Sequence, residues 1–214
     1  MGNSKWLDEM AASIQFSGMK HVIAVAALFL SASPSLAESV YTKLDLDACK
    51  SIEENDLGGT WICEGWGGYP VEFSEGDIRQ SLFIGHLGDW AQKNHWESFG
   101  PFNHVGGTIE WLVDGKKAKA AISRFIIENS NPETGEPDKA SQGQVLVIFK
   151  VGQKGEGEAC TVGYVDARAN PEPNEMARKV AQTEVAGFKC RVDEPQWHGV
   201  KGPTVGDRSG NFGD

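Results

Sequence analysis

Alternation of apolar and polar residues predicts β-strands over most of residues 41–148. In residues 69–74, Tyr, Val and Phe alternate with Pro, Glu and Ser, and residues 108–113 alternate in the same way. The pair Asp114-Gly115 then gives the strongest hairpin signal in the chain, so the next strand should run through residues 117–128. This pattern is typical of sequential antiparallel strands joined by short turns.

Glycine, proline and small polar residues mark where the other strands begin and end. Residues 60–64 include β-branched and aromatic residues and have glycines on both sides, and Glu75-Gly76-Asp77 predicts a tight turn into residues 78–84. Residues 129–143 are rich in Asn, Pro, Gly and Ser, which predicts an exposed loop. Residues 145–151 and 159–167 then predict one further antiparallel pair.

A helical pattern follows the last predicted strand. Ala177, Val180 and Ala181 recur at helical spacing, and Asn170 followed by Pro171 is typical of a capped helix start. Gly187 should end the helix. The chain therefore predicts an α+β domain over residues 38–193, with a curved or barrel-like antiparallel sheet and one C-terminal helix. Residues 194–214 are rich in Gly and Pro with few apolar residues, which predicts a flexible tail.

The chain carries the pattern of a secretory signal peptide at residues 19–37. A basic start at Lys20 precedes an apolar core over residues 22–30, and Ser35-Leu36-Ala37 is the small-x-small pattern of a cleavage site. The core is about half the length of a membrane span, so no lasting anchor is predicted. We interpret residues 1–18 as an extension upstream of a true start at Met19. The mature protein should be periplasmic or secreted.

Four cysteines, Cys49, Cys63, Cys160 and Cys190, all follow the predicted cleavage site. An even count in an exported chain predicts disulfides, and four cysteines allow three pairings. We favour Cys49 with Cys63 and Cys160 with Cys190, because each bond would join neighbouring elements. The zinc alternative lacks the usual ligand spacing, so neither a metal nor another cofactor is predicted.

The chain is acidic, with a formal net charge of −10 at pH 7. An acidic chain without basic clusters releases few phosphate counterions and is repelled by anionic lipid, which argues against nucleic acid and membrane surfaces. A cationic protein is a better electrostatic match. Charge therefore favours a cationic envelope protein as the partner, with a glycan as the other possibility.

Candidate catalytic groups lack a recognisable arrangement. His86, His95 and His104 are evenly spaced, but their spacing fits no single helical or strand face, so no metal or acid–base site is assigned. Glu75 or Asp77 with Glu110 could form a carboxylate pair for glycoside hydrolysis, although any acidic chain offers such pairs. No catalytic residue is predicted.

Aromatic residues are concentrated in the first half of the domain and provide the candidate binding residues. Trp66, Trp90 and Trp96 lie in Gly-rich or polar segments, where an indole ring can stack on a sugar or anchor a protein interface. The alternative is that these rings fill the core of a small domain and cover its loops. We predict them as binding residues.

Four segments of the chain together resemble small exported domains of bacterial envelopes. They are Trp61-Ile62-Cys63-Glu64-Gly65, residues 75–79, Phe99-Gly100-Pro101-Phe102 and the helix-Cys unit of residues 170–190. The resemblance covers most of residues 41–190 and implies export but no particular activity. Exported domains of this size include lysozyme inhibitors, but the S-G-x-x-Y and Y-x-x-x-T-K-G runs of those inhibitors do not occur in this chain.

Three functions follow as hypotheses. The first is a non-enzymatic periplasmic binding or interaction protein, such as an inhibitor of lysozyme or another peptidoglycan hydrolase. The second is a carbohydrate-binding domain. The third is an envelope hydrolase, which would require a cleft that brings one of the three histidines beside a carboxylate.

Overall fold

The computed structural model describes residues 38–88, 96–156 and 158–210. The predicted signal peptide and upstream extension, together with Trp90 and His95, lie outside the described residues. The described part forms strands and one α-helix, in chain order β1 (Glu38–Lys43), β2 (Lys50–Asn55), β3 (Gly58–Glu64), β4 (Pro70–Gly76), β5 (Arg79–Ile84), β6 (Glu97–Phe99), β7 (Asn103–Asp114), β8 (Lys117–Ile127), β9 (Gly143–Lys150), β10 (Cys160–Asp166), α1 (Pro173–Thr183), β11 (Gln196–His198) and β12 (Arg208–Gly210).

The described strands form two main sheets and one short pair. The larger sheet has the order β1-β7-β8-β9-β10-β11, the smaller has the order β2-β3-β4-β5, and β6 pairs with β12. All pairings are antiparallel except that of β10 with β11. This confirms an α+β class with mostly antiparallel strands. Both main sheets are open, whereas the sequence suggested a curved or barrel-like sheet.

Two apolar layers hold these elements together. The first lies between the sheets and includes Phe73 of β4 and Trp111 of β7, which is fully buried. The second lies between the other face of the larger sheet and α1, where Ala177, Val180 and Ala181 are buried as predicted. Alternation along the strands therefore supplies residues to both faces of the larger sheet.

The favoured disulfide pairing is confirmed. Cys49 bonds to Cys63, which links the start of β2 to β3, and Cys160 bonds to Cys190. The second bond ties the segment after α1 to the first residue of β10. Loop closure of these lengths is worth about 3–4 kcal/mol on the chain-entropy account, so each bond is a substantial part of the stability of one domain.

The predicted flexible tail is an ordered part of the domain as far as residue 210. β11 extends the larger sheet, β12 pairs with β6, and Val205 is fully buried. Trp197 packs against the ring of Tyr164, with the ring centroids 5.2 Å apart. Few apolar residues are needed because β pairing and aromatic stacking hold the segment. The described domain therefore extends 17 residues beyond the predicted boundary at residue 193.

Asn170 does not cap α1, contrary to the sequence-based expectation. The helix begins at Pro173, and the residue before it, Glu172, has a left-handed backbone and makes no side-chain capping bond. The Asn170 side chain instead donates to the carbonyl groups of Asp166 and Val200 and accepts from the Val200 N–H. Asn170 therefore joins the end of β10 to the C-terminal segment. No helix among the described residues is long and apolar enough to cross a membrane.

Candidate functional site

The β4–β5 hairpin ends in a two-residue loop with an unusual residue. Gly76 pairs with Arg79, so Asp77 and Ile78 form the loop, with φ angles of 50° and 60°. Loops with two positive φ angles normally contain Asn-Gly or Asp-Gly, because glycine has no Cβ to clash there. Ile78 is β-branched, and the left-handed conformation costs such a residue about 1–2 kcal/mol.

Burial does not offset the strain at Ile78. The residue is 62% exposed, so its side chain adds no contact to the core and remains in contact with solvent. Replacement by Gly or Asn would relieve the backbone strain without removing any core contact. The hairpin therefore presents an apolar, branched side chain to solvent at a cost to its own stability.

Hydrogen bonds from Arg79 hold this loop in place. Its guanidinium donates to the Asp77 carbonyl at 2.9 Å and carboxylate at 2.7 Å, and its Nε donates to the Gly100 carbonyl at 2.7 Å. The guanidinium carbon also lies 4.9 Å from the ring centroid of Phe102. One side chain therefore ties the hairpin loop to the neighbouring segment 100–102.

Asn103 holds that neighbouring segment in place through buried hydrogen bonds. Its buried side-chain amide donates to the hydroxyl of Ser98 and to the carbonyl of Pro101, and its Oδ1 accepts from the Gln80 N–H. The Asn103 N–H also donates to the carbonyl of Ile78 at 3.2 Å. The strained loop therefore rests on a hydrogen-bonded support, which holds the loop in one conformation.

Three exposed apolar residues lie at this end of the smaller sheet, on segments joined by backbone hydrogen bonds. Leu57, in the β2–β3 loop, accepts a backbone hydrogen bond from Asp77 and is 75% exposed. Phe102 precedes Asn103, whose backbone bonds to Ile78, and is 44% exposed. We call Leu57, Ile78 and Phe102 the apolar tip. Large apolar side chains that share one exposed surface are typical of interaction sites.

The surroundings of the apolar tip are acidic. Asp56 and Asp77 are exposed beside it, and Glu53 and Glu54 are exposed on β2. Hydrogen bonds from Ser51 and from Trp61 lower the pKa of Glu54, which keeps this carboxylate charged at neutral pH. Arg79 is the cation that neutralises Asp77. The apolar tip therefore lies in a predominantly negative environment.

The two predicted tryptophans in the described part of the chain, Trp66 and Trp96, lie at opposite ends of β4. Trp66 begins a 3₁₀ turn just before β4, is half-buried and packs against the core between the sheets. Trp96 lies at the other end of β4, where its Cη2 is 3.6 Å from the position of a Cβ built on Gly76. The length of β4 separates the two residues by about 20 Å. Trp90 lies outside the described residues.

Trp96 is nevertheless close to the apolar tip in the fold. Gly76, which its ring approaches, directly precedes Asp77 of the strained loop. Trp96 itself is half-buried. Of the two described candidates, Trp96 therefore borders the apolar tip and Trp66 lies at the opposite end of the sheet.

The candidate catalytic residues lie in separate places. His104 Nδ1 is 3.0 Å from Glu128 Oε1 on the larger sheet, whereas the ring of His86 lies 5.9 Å from that of Tyr69. Glu110 bonds to Arg178 of α1, while Glu75 accepts from Gln80 on the smaller sheet. No group of three potential metal ligands occurs within the described ranges.

The sequence patterns missed the residues of the apolar tip. Glu75-Gly76-Asp77 correctly indicated a turn, but the loop lies one residue further along and includes Ile78. A signal was available: a β-branched residue follows Asp where a two-residue hairpin normally has Gly. Leu57 and Phe102 gave no such signal, because their exposure depends on the tertiary fold.

No protein-family model matches the chain, and searches of curated proteins and of solved structures also find no match.

Proposed function

We propose that this protein is an exported, non-enzymatic interaction protein of the cell envelope, whose apolar tip binds and inhibits a cationic peptidoglycan hydrolase of the lysozyme type. The observation that carries the proposal is Ile78, an exposed β-branched residue in a left-handed conformation. Backbone strain concentrates at functional sites, where the strained geometry serves a purpose other than stability.

The rigidity of the support favours binding to a folded protein. Arg79 and Asn103 hold the loop before any partner arrives, so little conformational entropy is lost on association. Exposed Leu57 and Phe102 extend the apolar contact beyond Ile78. A small, rigid apolar projection is suited to entering the cleft of an enzyme.

Charge favours a cationic partner. The chain has a net charge of −10, and carboxylates of β2, of the β2–β3 loop and of the β4–β5 loop lie beside the apolar tip. Such a field speeds the approach of a basic protein and disfavours acidic ones. Hydrolases that act on anionic cell walls and carry a basic surface are therefore the class we propose.

The proposed compartment rests on two other observations. The signal-peptide pattern of residues 19–37 and the two disulfides are consistent with the periplasm or an extracellular space. Peptidoglycan hydrolases act in that compartment, so the proposed partner and the protein would meet there.

An Ile78→Asn substitution tests the apolar tip directly. Asn tolerates the left-handed conformation and removes the apolar side chain, so stability should rise by up to about 1 kcal/mol while binding weakens at least tenfold. The measurements are urea unfolding and the rate at which a c-type lysozyme degrades purified peptidoglycan in the presence of excess protein.

Val192→Asn is the matched control, because Val192 is 74% exposed in the turn that follows α1. It should leave inhibition unchanged. If the wild-type protein fails to slow lysozyme at large molar excess, the inhibitor proposal is wrong. Equal inhibition by wild type and Ile78→Asn would instead exclude the apolar tip as the contact.

A further inference from the structure

An exposed concavity lies at the end of the smaller sheet opposite the apolar tip. It has a volume of about 420 Å³ and is bordered by the 3₁₀ turn before β4, the β7–β8 hairpin and the turn after β9. Its principal side chains are those of Tyr69, His86, Lys116, Lys117, Gln153 and Lys154. A cavity of this size can hold a monosaccharide with a charged substituent.

The charge of this cavity is opposite to that of the whole chain. Three lysines line it, together with one carboxylate, Glu156. Glu156 lies 3.2 Å from Lys117, and no carboxylate in the described part of the chain forms an ion pair with Lys116 or Lys154. Two ammonium groups therefore remain available to an anion, in a protein of net charge −10.

A fixed aromatic and amide wall lies beside these lysines. The Tyr69 hydroxyl donates to Gln153 Oε1 at 2.8 Å, and Gln153 Nε2 donates to the carbonyl groups of Ala118 and Val151. The ring centroid of Tyr69 lies 5.9 Å from that of His86. Both rings are half-buried, and the hydroxyl bond fixes the Tyr69 ring, which can serve as a stacking surface for a sugar ring.

Two glycines of the 3₁₀ turn border the cavity. Gly67 and Gly68 have φ angles of 62° and 82°, and a Cβ on either would meet no atom within 4 Å. The turn therefore borders empty space and not another packed element. Its left-handed backbone also explains why glycine occupies both positions.

From these features we infer that the cavity binds an anionic saccharide. Lys116 and Lys154 pair with its phosphate or carboxylate, and Tyr69 and His86 contact the face of its sugar ring. The site uses residues separate from the apolar tip, so it can be occupied whether or not the protein inhibits a hydrolase. It also moves the proposed glycan recognition from the predicted tryptophans to the cavity that Gly67 and Gly68 border.

The test is calorimetric titration of the purified protein with four probes: glucose 6-phosphate, glucuronate, glucose and inorganic phosphate. Both charged sugars should bind at least tenfold more tightly than glucose or inorganic phosphate. Comparing the two charged sugars identifies whether phosphate or carboxylate is preferred. Equal binding of inorganic phosphate and glucose 6-phosphate, or no binding of either charged sugar, would overturn the inference.

The Lys116→Ala/Lys154→Ala double variant should weaken binding of both charged sugars at least tenfold, with an unchanged unfolding midpoint. Lys43→Ala/Lys139→Ala is the matched control, since it removes the same charge from two exposed lysines outside the cavity. Equal losses in the two double variants would indicate general charge attraction and overturn the assignment of this site.

Discussion

Replacing Glu97 by glutamine should remove much of the pH dependence of this protein's stability between pH 5 and pH 8. Glu97 is the first residue of β6, and its Oε2 accepts a hydrogen bond from the backbone N–H of Thr161 at 3.2 Å. Burial raises the pKa of this carboxyl group to about 7, and neither that bond nor nearby Arg208 offsets the loss of solvation.

The direction of the effect follows from the two pKa values. An unfolded Glu has a pKa near 4.5, so the folded state holds its proton to a higher pH than the unfolded state does. The resulting stabilisation is fully present below pH 4.5 and is lost as the pH rises through about 7. A difference of this size corresponds to about 3 kcal/mol of unfolding free energy over that range.

Glutamine resembles the protonated acid in shape, and its side-chain carbonyl can still accept from Thr161. We therefore expect Glu97→Gln to match the wild type at pH 5 and to be more stable at pH 8. Urea unfolding at several pH values measures this difference. Glu64→Gln, on the exposed surface of β3, is the control and should follow the wild-type profile. Parallel profiles for Glu97→Gln and wild type would contradict a buried acid at this position.

Local sequence patterns predicted the elements whose cause is local. The Asp114-Gly115 hairpin is confirmed, since Asp114 pairs with Lys117 and Gly115 has a φ of 59°. Alternation likewise located the buried residues Val71 and Phe73 of β4. In these cases turn chemistry and a two-residue period decide the structure within a few residues of chain.

The patterns failed where distant residues decide the structure. Strict alternation along β8 would place Ala118, Ala120 and Ile122 on one face, but an irregularity in the β7–β8 register assigns Ala118 to the core between the sheets and the other two to the α1 layer. A bulge shifts the alternation by one residue, and partner strands are not visible in a local window.

The C-terminal segment shows that amino-acid composition also fails to predict structure where distant residues decide it. Its few apolar residues predicted a flexible tail, yet Asp166 accepts a hydrogen bond from the Gly202 N–H and Asn170 bonds to Val200. Buried polar side chains in the preceding part of the same domain therefore hold a segment that has little apolar surface of its own. The candidate site was missed for a related reason: the apolar tip is assembled from three loops that only the fold brings together.

The ion pair between α1 and the larger sheet should be essential for stability, so Arg178→Met should be strongly destabilising. Arg178 donates to Glu110 through Nε at 2.6 Å and through a second nitrogen at 3.3 Å, and also bonds to Glu175 and Tyr41. Glu110 is buried on β7, where the Ser39 hydroxyl is its other hydrogen-bond donor. These bonds raise the pKa of Arg178, so the guanidinium remains charged.

Removing Arg178 would leave a buried carboxylate with one neutral hydrogen-bond partner. We expect a loss of about 3 kcal/mol in unfolding free energy at pH 7.5, because an uncompensated buried charge is costly. Urea unfolding at pH 7.5 measures the loss.

The double variant Glu110→Gln/Arg178→Met separates charge from packing. It removes the carboxylate together with its cation, so it should be more stable than Arg178→Met alone at pH 7.5 despite carrying an additional substitution. If the two variants are equally unstable at pH 7.5, the loss comes from the packing of the Arg178 side chain. The ion pair would then contribute little to holding α1 on the sheet.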